Sequence, residues 1–169
     1  RDIDNQIKFN RGKNIFLDNL DFFRFAQETV QAVSEMDQLN PDSKDTLIDY
    51  ATDKAIEEFC RINQYYAFDA KAKNELRKIY AELFGSIQTM TGPMEDIAKN
   101  HYGKLKAWIT ESNPFAGKIY KNDNKEVTPV ACSEYNPGLQ ISVLKLDIEQ
   151  LMEPVLDIGC GNQGHLVHY

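Results

Sequence analysis

The residues of this chain best placed to do chemistry lie in its last fifteen positions, Val155 to Tyr169, which read VLDIGCGNQGHLVHY. Three apolar residues, Val155, Leu156 and Ile158, surround one carboxylate, Asp157, and run directly into Gly159, Gly161 and Gly164. That order predicts a strand, a tight turn and the start of a helix. Glycine suits such a turn because the backbone must take positive φ and pass close to a ligand. The free N–H groups of the following helix then attract negative or polar ligand groups. Gly159 to Gly164 also matches G-x-G-x-x-G in the strand-to-helix context that gives this pattern meaning.

Other reactive side chains are weaker candidates. His165 and His168, three apart, could meet one metal ion together with Cys160, but no acidic partner accompanies them and they read better as surface histidines. No metal site is therefore expected. His101 falls on an apolar helical stripe and reads as a hydrogen-bonded core or boundary residue rather than a general base. Tyr135 and Asn136 precede Pro137 about twenty residues before the glycine turn and could line a ligand site, although an Asn-Pro helix start explains them more simply. Glu57–Glu58 and Asp42 to Asp45 read as solvated helix faces and helix-start charge.

The segment LDIGCG is similar to motif I of class I S-adenosylmethionine-dependent methyltransferases, written as apolar residues, an acid, one apolar residue and then G-x-G. The acid is the discriminating position, since a nicotinamide-dependent oxidoreductase more often carries an apolar or small residue where Asp157 stands. The resemblance implies that Gly159 and Gly161 let the backbone pass beneath the amino-acid half of S-adenosyl-L-methionine. It also implies backbone contacts from Cys160 and attraction of the cofactor's ammonium group by Asp157. In that family the residues that hold the ribose, the adenine and the methyl acceptor follow motif I. Sequence beyond Tyr169 is accordingly expected to carry them, the catalytic residues stay unassigned, and the 169-residue chain alone is expected to be inactive and to bind the cofactor weakly or not at all. The acceptor is unidentified, with a small molecule favoured. Two alternatives stay open: a helical binding or oligomerisation module without catalysis, and part of a nicotinamide-dependent oxidoreductase.

Before the motif the pattern is helical. Phe16, Leu20, Phe23, Val30 and Val33 fall at the spacing of one helix face, predicting a first helix from about residue 14. A second opens at Asn40-Pro41 and carries Ile48, Ala51, Ala55, Phe59 and Ile62. A third is capped by Asp69 and aligns Ala72, Leu76, Ile79 and Leu83, with Gly85 as its stop. The fourth starts near Gly92-Pro93 and aligns Met94, Ile97, His101, Leu105 and Trp108. Short links make these a predominantly antiparallel four-helix bundle with Phe23, Phe59, Leu76 and Trp108 buried. Its aromatics exceed what the stripes need, which leaves some for another layer or a pocket. Lys118–Tyr120 and Val127–Val130, around an Asn-Asp-Asn signal, predict a hairpin able to pair with the strand at Val155–Ile158. From Pro137 to Met152 one helix or two short ones are expected.

The fold class expected is thus mainly α: a helical domain over residues 1–111, a connector with hairpin over 112–153, and over 154–169 the first strand, glycine loop and helix start of a Rossmann-like domain. Net charge is −7, and the Lys and Arg residues are scattered among acids, which argues against nucleic acid as a partner. No apolar run approaches the ~18–20 residues that span a bilayer, and the polar start RDIDNQIKFNRGKN lacks an apolar signal core. Three scattered cysteines, Cys60, Cys132 and Cys160, suit a reducing cytoplasm better than a disulfide framework. A soluble cytoplasmic protein with no membrane partner is expected, and a homodimer is a possible assembly. The start at Arg1 suggests a trimmed or processed chain.

Overall fold

Asp69 shows how local chemistry sets an element. Its backbone is extended and its carboxylate accepts a hydrogen bond from the Ala72 N–H at 2.8 Å, so one of the unpaired donors of a helix start is satisfied. In the computed structural model, which describes residues 2–21, 23–35, 41–121, 124–127 and 137–151, seven α-helices follow one another among the described residues. They are α1 (Asp2–Asn10), α2 (Gln27–Ser34), α3 (Pro41–Ile62), α4 (Ala70–Gln88), α5 (Met94–Ser112), α6 (Ala116–Tyr120) and α7 (Pro137–Leu144), with a 3-10 turn at Ile148–Gln150 after the last.

The helices α3, α4 and α5 pack side by side and bury the stripes expected of them. Trp108 of α5 meets Ala72 of α4 while Lys104 meets Glu82, so residue numbers rise along one helix as they fall along the other and the pair is antiparallel. Residues Ile48 and Ala51 from the first half of α3 cluster with Leu83, Phe84 and Ile87 from the end of α4, again an antiparallel match. A second cluster joins Leu76 of α4 and Leu105, Trp108 and Ile109 of α5 to Ile15, Leu20, Phe23 and Tyr120. Phe23, Leu76 and Trp108 are buried, and Phe59 is partly so.

Three local expectations are corrected. Residues 14–21 and 23–26 are not helical, and only α2 remains of the predicted first helix. Ile15, Leu20 and Phe23 are nevertheless buried from an irregular segment. The reason lies in the asparagines: Asn14 Oδ1 accepts from the Phe16 N–H at 3.0 Å and Asn19 Oδ1 from the Asp21 N–H at 2.8 Å, turns that compete with a helix. The polar start, conversely, forms α1. Its inner side is held by amides, since Gln6 donates to the Arg24 carbonyl (2.9 Å) and accepts from the Ala26 N–H (2.7 Å), and Asn10 donates to the same Arg24 carbonyl (3.1 Å).

The hairpin is also not formed as predicted, because Lys118–Tyr120 belongs to α6. Ala116 and Tyr120, four apart, are both buried on one helical face, and Tyr120 stacks on Phe16 with ring centroids 5.7 Å apart. Residues 124–127 pair instead with the segment after α1: the backbones of Lys13 and Glu126 form an antiparallel β-bridge, and the Val127 N–H donates to the Gly12 carbonyl at 2.6 Å. Pairing of Val155–Ile158 with Lys118–Tyr120 as a strand is thereby ruled out, while residues 128–130 and 155–158 themselves lie outside the described residues.

Gly85, expected as a stop, sits inside α4. The helix ends at Gln88 and is closed by Met90, whose φ is +46°, with Met90 N–H bonded to Ile87 O and Thr91 N–H to Ser86 O. That is the Schellman arrangement, built here on methionine instead of glycine. The end of α7 repeats it, with Lys145 at φ +53° and Leu146 N–H bonded to Ile141 O. The helix expected from Pro137 is present, and Tyr65 reaches it through the buried Gln140 (3.3 Å).

Candidate functional site

Asp157, Gly159, Cys160 and Gly161, with Gly164, His165, His168, Tyr135, Asn136 and Cys132, lie outside the described residues. The chemistry that the structure does place is at the centre of the helical unit, where α4 contributes Tyr80 and Phe84, α5 contributes His101 and Tyr102, and the segment before α2 contributes Phe23 and Phe25.

His101 is 5% exposed, and its ring lies 5.1 Å from that of Tyr102, 5.3 Å from Tyr80 and 6.0 Å from Phe25. Its Nδ1 is buried with no hydrogen-bond partner. The expected core histidine is therefore found, but without the satisfied hydrogen bonding anticipated for it at that atom. Burial, with a smaller contribution from the Lys104 charge, pushes its pKa down to about 3, so the imidazole is neutral at physiological pH. Burial likewise raises the Tyr80 and Tyr102 phenols, and Asn10 Nδ2 donates to the Tyr102 oxygen.

These side chains wall a cavity of about 160 Å³ among α1 to α5, its surface mostly apolar. Glu58 stands on its wall. Expected as part of a solvated face, Glu58 is instead 19% exposed and bridges two cations, Arg11 (3.0 Å) and Arg61 (2.6 Å). Burial alone would raise its carboxyl pKa, but the hydrogen bonds and charges of Arg61 and Arg11 outweigh it and hold it below the ordinary value. Glu57, by contrast, is exposed and pairs with Lys54, and Asp45 pairs with Arg77.

A second, polar cleft of about 370 Å³ lies between α4 and α5 and is lined by Glu82, Ser86, Asp96, Asn100 and Lys104. His101 and Leu83 border both spaces. Cys60 carries a half-buried free thiol whose pKa burial raises, so it is not an activated nucleophile. Among the described residues no group of three or more His, Cys, Asp or Glu side chains could hold a metal, and no helix is long and apolar enough to cross a membrane.

Sequence reasoning found His101 through its place on the α5 stripe but missed Glu58, Arg11 and Asn10. The adjacent carboxylates Glu57 and Glu58 point different ways around the helix, and only the position of α1 decides which is enclosed. Comparison of the chain with protein-family models, curated proteins and solved structures finds no match.

Proposed function

We propose that this protein takes part in S-adenosylmethionine-dependent methyl transfer to a small-molecule acceptor. The observation that carries the reading is the order apolar–Asp157–Ile158–Gly159–Cys160–Gly161 at the end of an apolar run. The donor set suits the group: a carboxylate complements an ammonium, and glycines leave backbone N–H groups accessible at close approach. Gly159 and Gly161 would pass beneath the amino-acid half, Cys160 would contribute main-chain contacts, and Asp157 would hold the charged amine. When bound, the group supplies a methyl on a sulfonium for in-line displacement, a reaction in which positioning provides much of the rate. The helical unit would serve acceptor recognition or cover the site.

Calorimetric titration of the protein expressed from its whole gene tests this. S-adenosyl-L-methionine should bind, Gly161→Val should abolish binding by filling the space of closest approach, and Asp157→Asn should weaken it. No binding to the wild-type protein, or undiminished binding to Gly161→Val, would refute the reading. The apolar cavity favours a second one, a helical binding module that acts without catalysis.

A further inference from the structure

We propose that the cavity at the centre of the helical unit binds a medium-chain fatty acid, a straight alkyl chain of about eight carbons whose carboxylate sits beside Lys13 and Arg11. Shape comes first. On α3 the wall residues are Ala51, Ala55, Glu58, Phe59 and Ile62, the spacing of one helix face, so the space follows that face along the helix. Ile3, Gln6, Ile7 and Asn10 of α1 line it from the other side. Asp4 accepts from the Tyr50 hydroxyl at 2.8 Å and Arg11 pairs with Glu58 at 3.0 Å, so residue numbers rise together and α1 lies parallel to α3 as the roof of a slot.

The slot has a length and a volume. From Glu58 back to Ala51 it runs about 10 Å, at a helical rise of about 1.5 Å per residue. An extended chain advances ~1.2 Å per bond, so about eight carbons cover that distance. The volume is of matching order, since about 160 Å³ is close to the ~150 Å³ apolar cavity that accepts benzene in another protein. Around Ala51 the wall is built from Val33, Leu83, Phe84 and Ile87, members of one apolar cluster, and the methyl end of a chain is favoured there.

The other end is basic. The Lys13 ammonium lies 2.8 Å from Asn10 Oδ1 and 5.8 Å from the ring centre of Phe23, both wall residues, which puts its charge at the edge of the cavity. Arg11 is 46% exposed, so this end is within reach of solvent. Arg11 and Arg61 both engage Glu58, and Arg24 adds its charge to that of Lys13. Four cations thus outnumber Glu58 in a chain whose net charge is −7. Burial and the Arg24 charge lower the Lys13 pKa, so its protonated form gains from an arriving anion.

The proposal rests on the binding-module reading and needs no methyl donor. The test compares octanoate with 1-octanol, matched in chain and differing in the charge of the head. Octanoate added to the wild-type protein should give intermolecular NOEs to the methyls of Ala51, Ala55, Val33 and Ile87, and it should bind more tightly than 1-octanol. Octanoate should also bind about fifteenfold more tightly than hexanoate, each buried methylene being worth about fourfold. In Lys13→Met the affinity for octanoate should fall about tenfold, the value of one charge-assisted contact at a partly exposed position, while that for 1-octanol stays unchanged and reports an intact slot. Absence of NOEs at millimolar octanoate, NOEs to another part of the chain alone, or equal effects of Lys13→Met on the two ligands would each overturn the proposal. Binding of 1-octanol without octanoate would overturn it while leaving the cavity a binding site, so the two readings can fail separately.

Discussion

His101 is a base that the fold prevents from acting as one. The unfolded chain takes up a proton at the ordinary histidine pKa of 6.5, whereas the folded chain refuses it until about pH 3. Between those values the unfolded state binds more protons, so stability falls as pH falls, with a slope approaching about 1.4 kcal/mol per pH unit. Wild-type protein should therefore lose about 2 kcal/mol between pH 6.5 and 5, and His101→Leu should lose much less, as measured by urea denaturation at each pH. Glu58, held below its ordinary value, adds its own loss only at more acid pH. Asn14 carries a different kind of cost. It is fully buried, and its amide donates to the Tyr120 and Asn124 carbonyls, both at 3.0 Å, while its carbonyl side accepts from Phe16. Asn14→Ala should cost about 3 kcal/mol, because buried carbonyls would lose their partner. A denaturation midpoint within error of wild type would show that the segment after α1 is held by its apolar residues alone.

Helix ends are where element-scale reasoning failed and where it can be tested. Glycine is the usual residue of a left-handed helix terminus, so Gly85 drew the predicted stop, yet α4 continues past it to Gln88 and turns left-handed only at Met90. Apolar periodicity was strong enough through Leu83 and Phe84 for tertiary packing to override that signal, and Ile87 is fully buried beyond it. Two substitutions should consequently stabilise the protein. Gly85→Ala places its methyl where nothing lies within 4 Å, and Met90→Gly relieves a left-handed methionine that is 60% exposed. Each should add about 1 kcal/mol, read as a rise in thermal midpoint. The stripes of α3, α4 and α5 were legible because a 3–4 residue spacing has one structural answer when it runs for five turns. α1 was not, since its inner side is made of Gln6 and Asn10, and amides that serve backbone groups look the same in a sequence as amides that serve water. Residues 14–21 and 23–26 failed in the opposite sense. Their apolar spacing was real and their burial was real, but two asparagine turns made the path irregular.

For the whole molecule, the mainly α architecture and the pairing of α4 with α5 followed from periodicity and short links, whereas the cavity did not. A void is a property of five elements at once, and no window of sequence contains it. The chain carries a single tryptophan, and the structure gives it an unusually informative position. Trp108 stacks on Phe68 with planes 13° apart and centroids 4.9 Å apart, touches Phe59 at 5.6 Å, and donates its indole N–H to the Ala72 carbonyl at 2.9 Å. Three parts of the fold, α3, α4 and the link between them, thus meet one chromophore on α5. Native emission should be blue-shifted, should move to the red in a single step on denaturation, and should resist quenching by acrylamide until that step. If the red shift came before the loss of helical circular dichroism, the α3–α4–α5 core would be opening while its helices persist. Nature has already placed the probe with which the assembly of this core can be followed in real time, without a label.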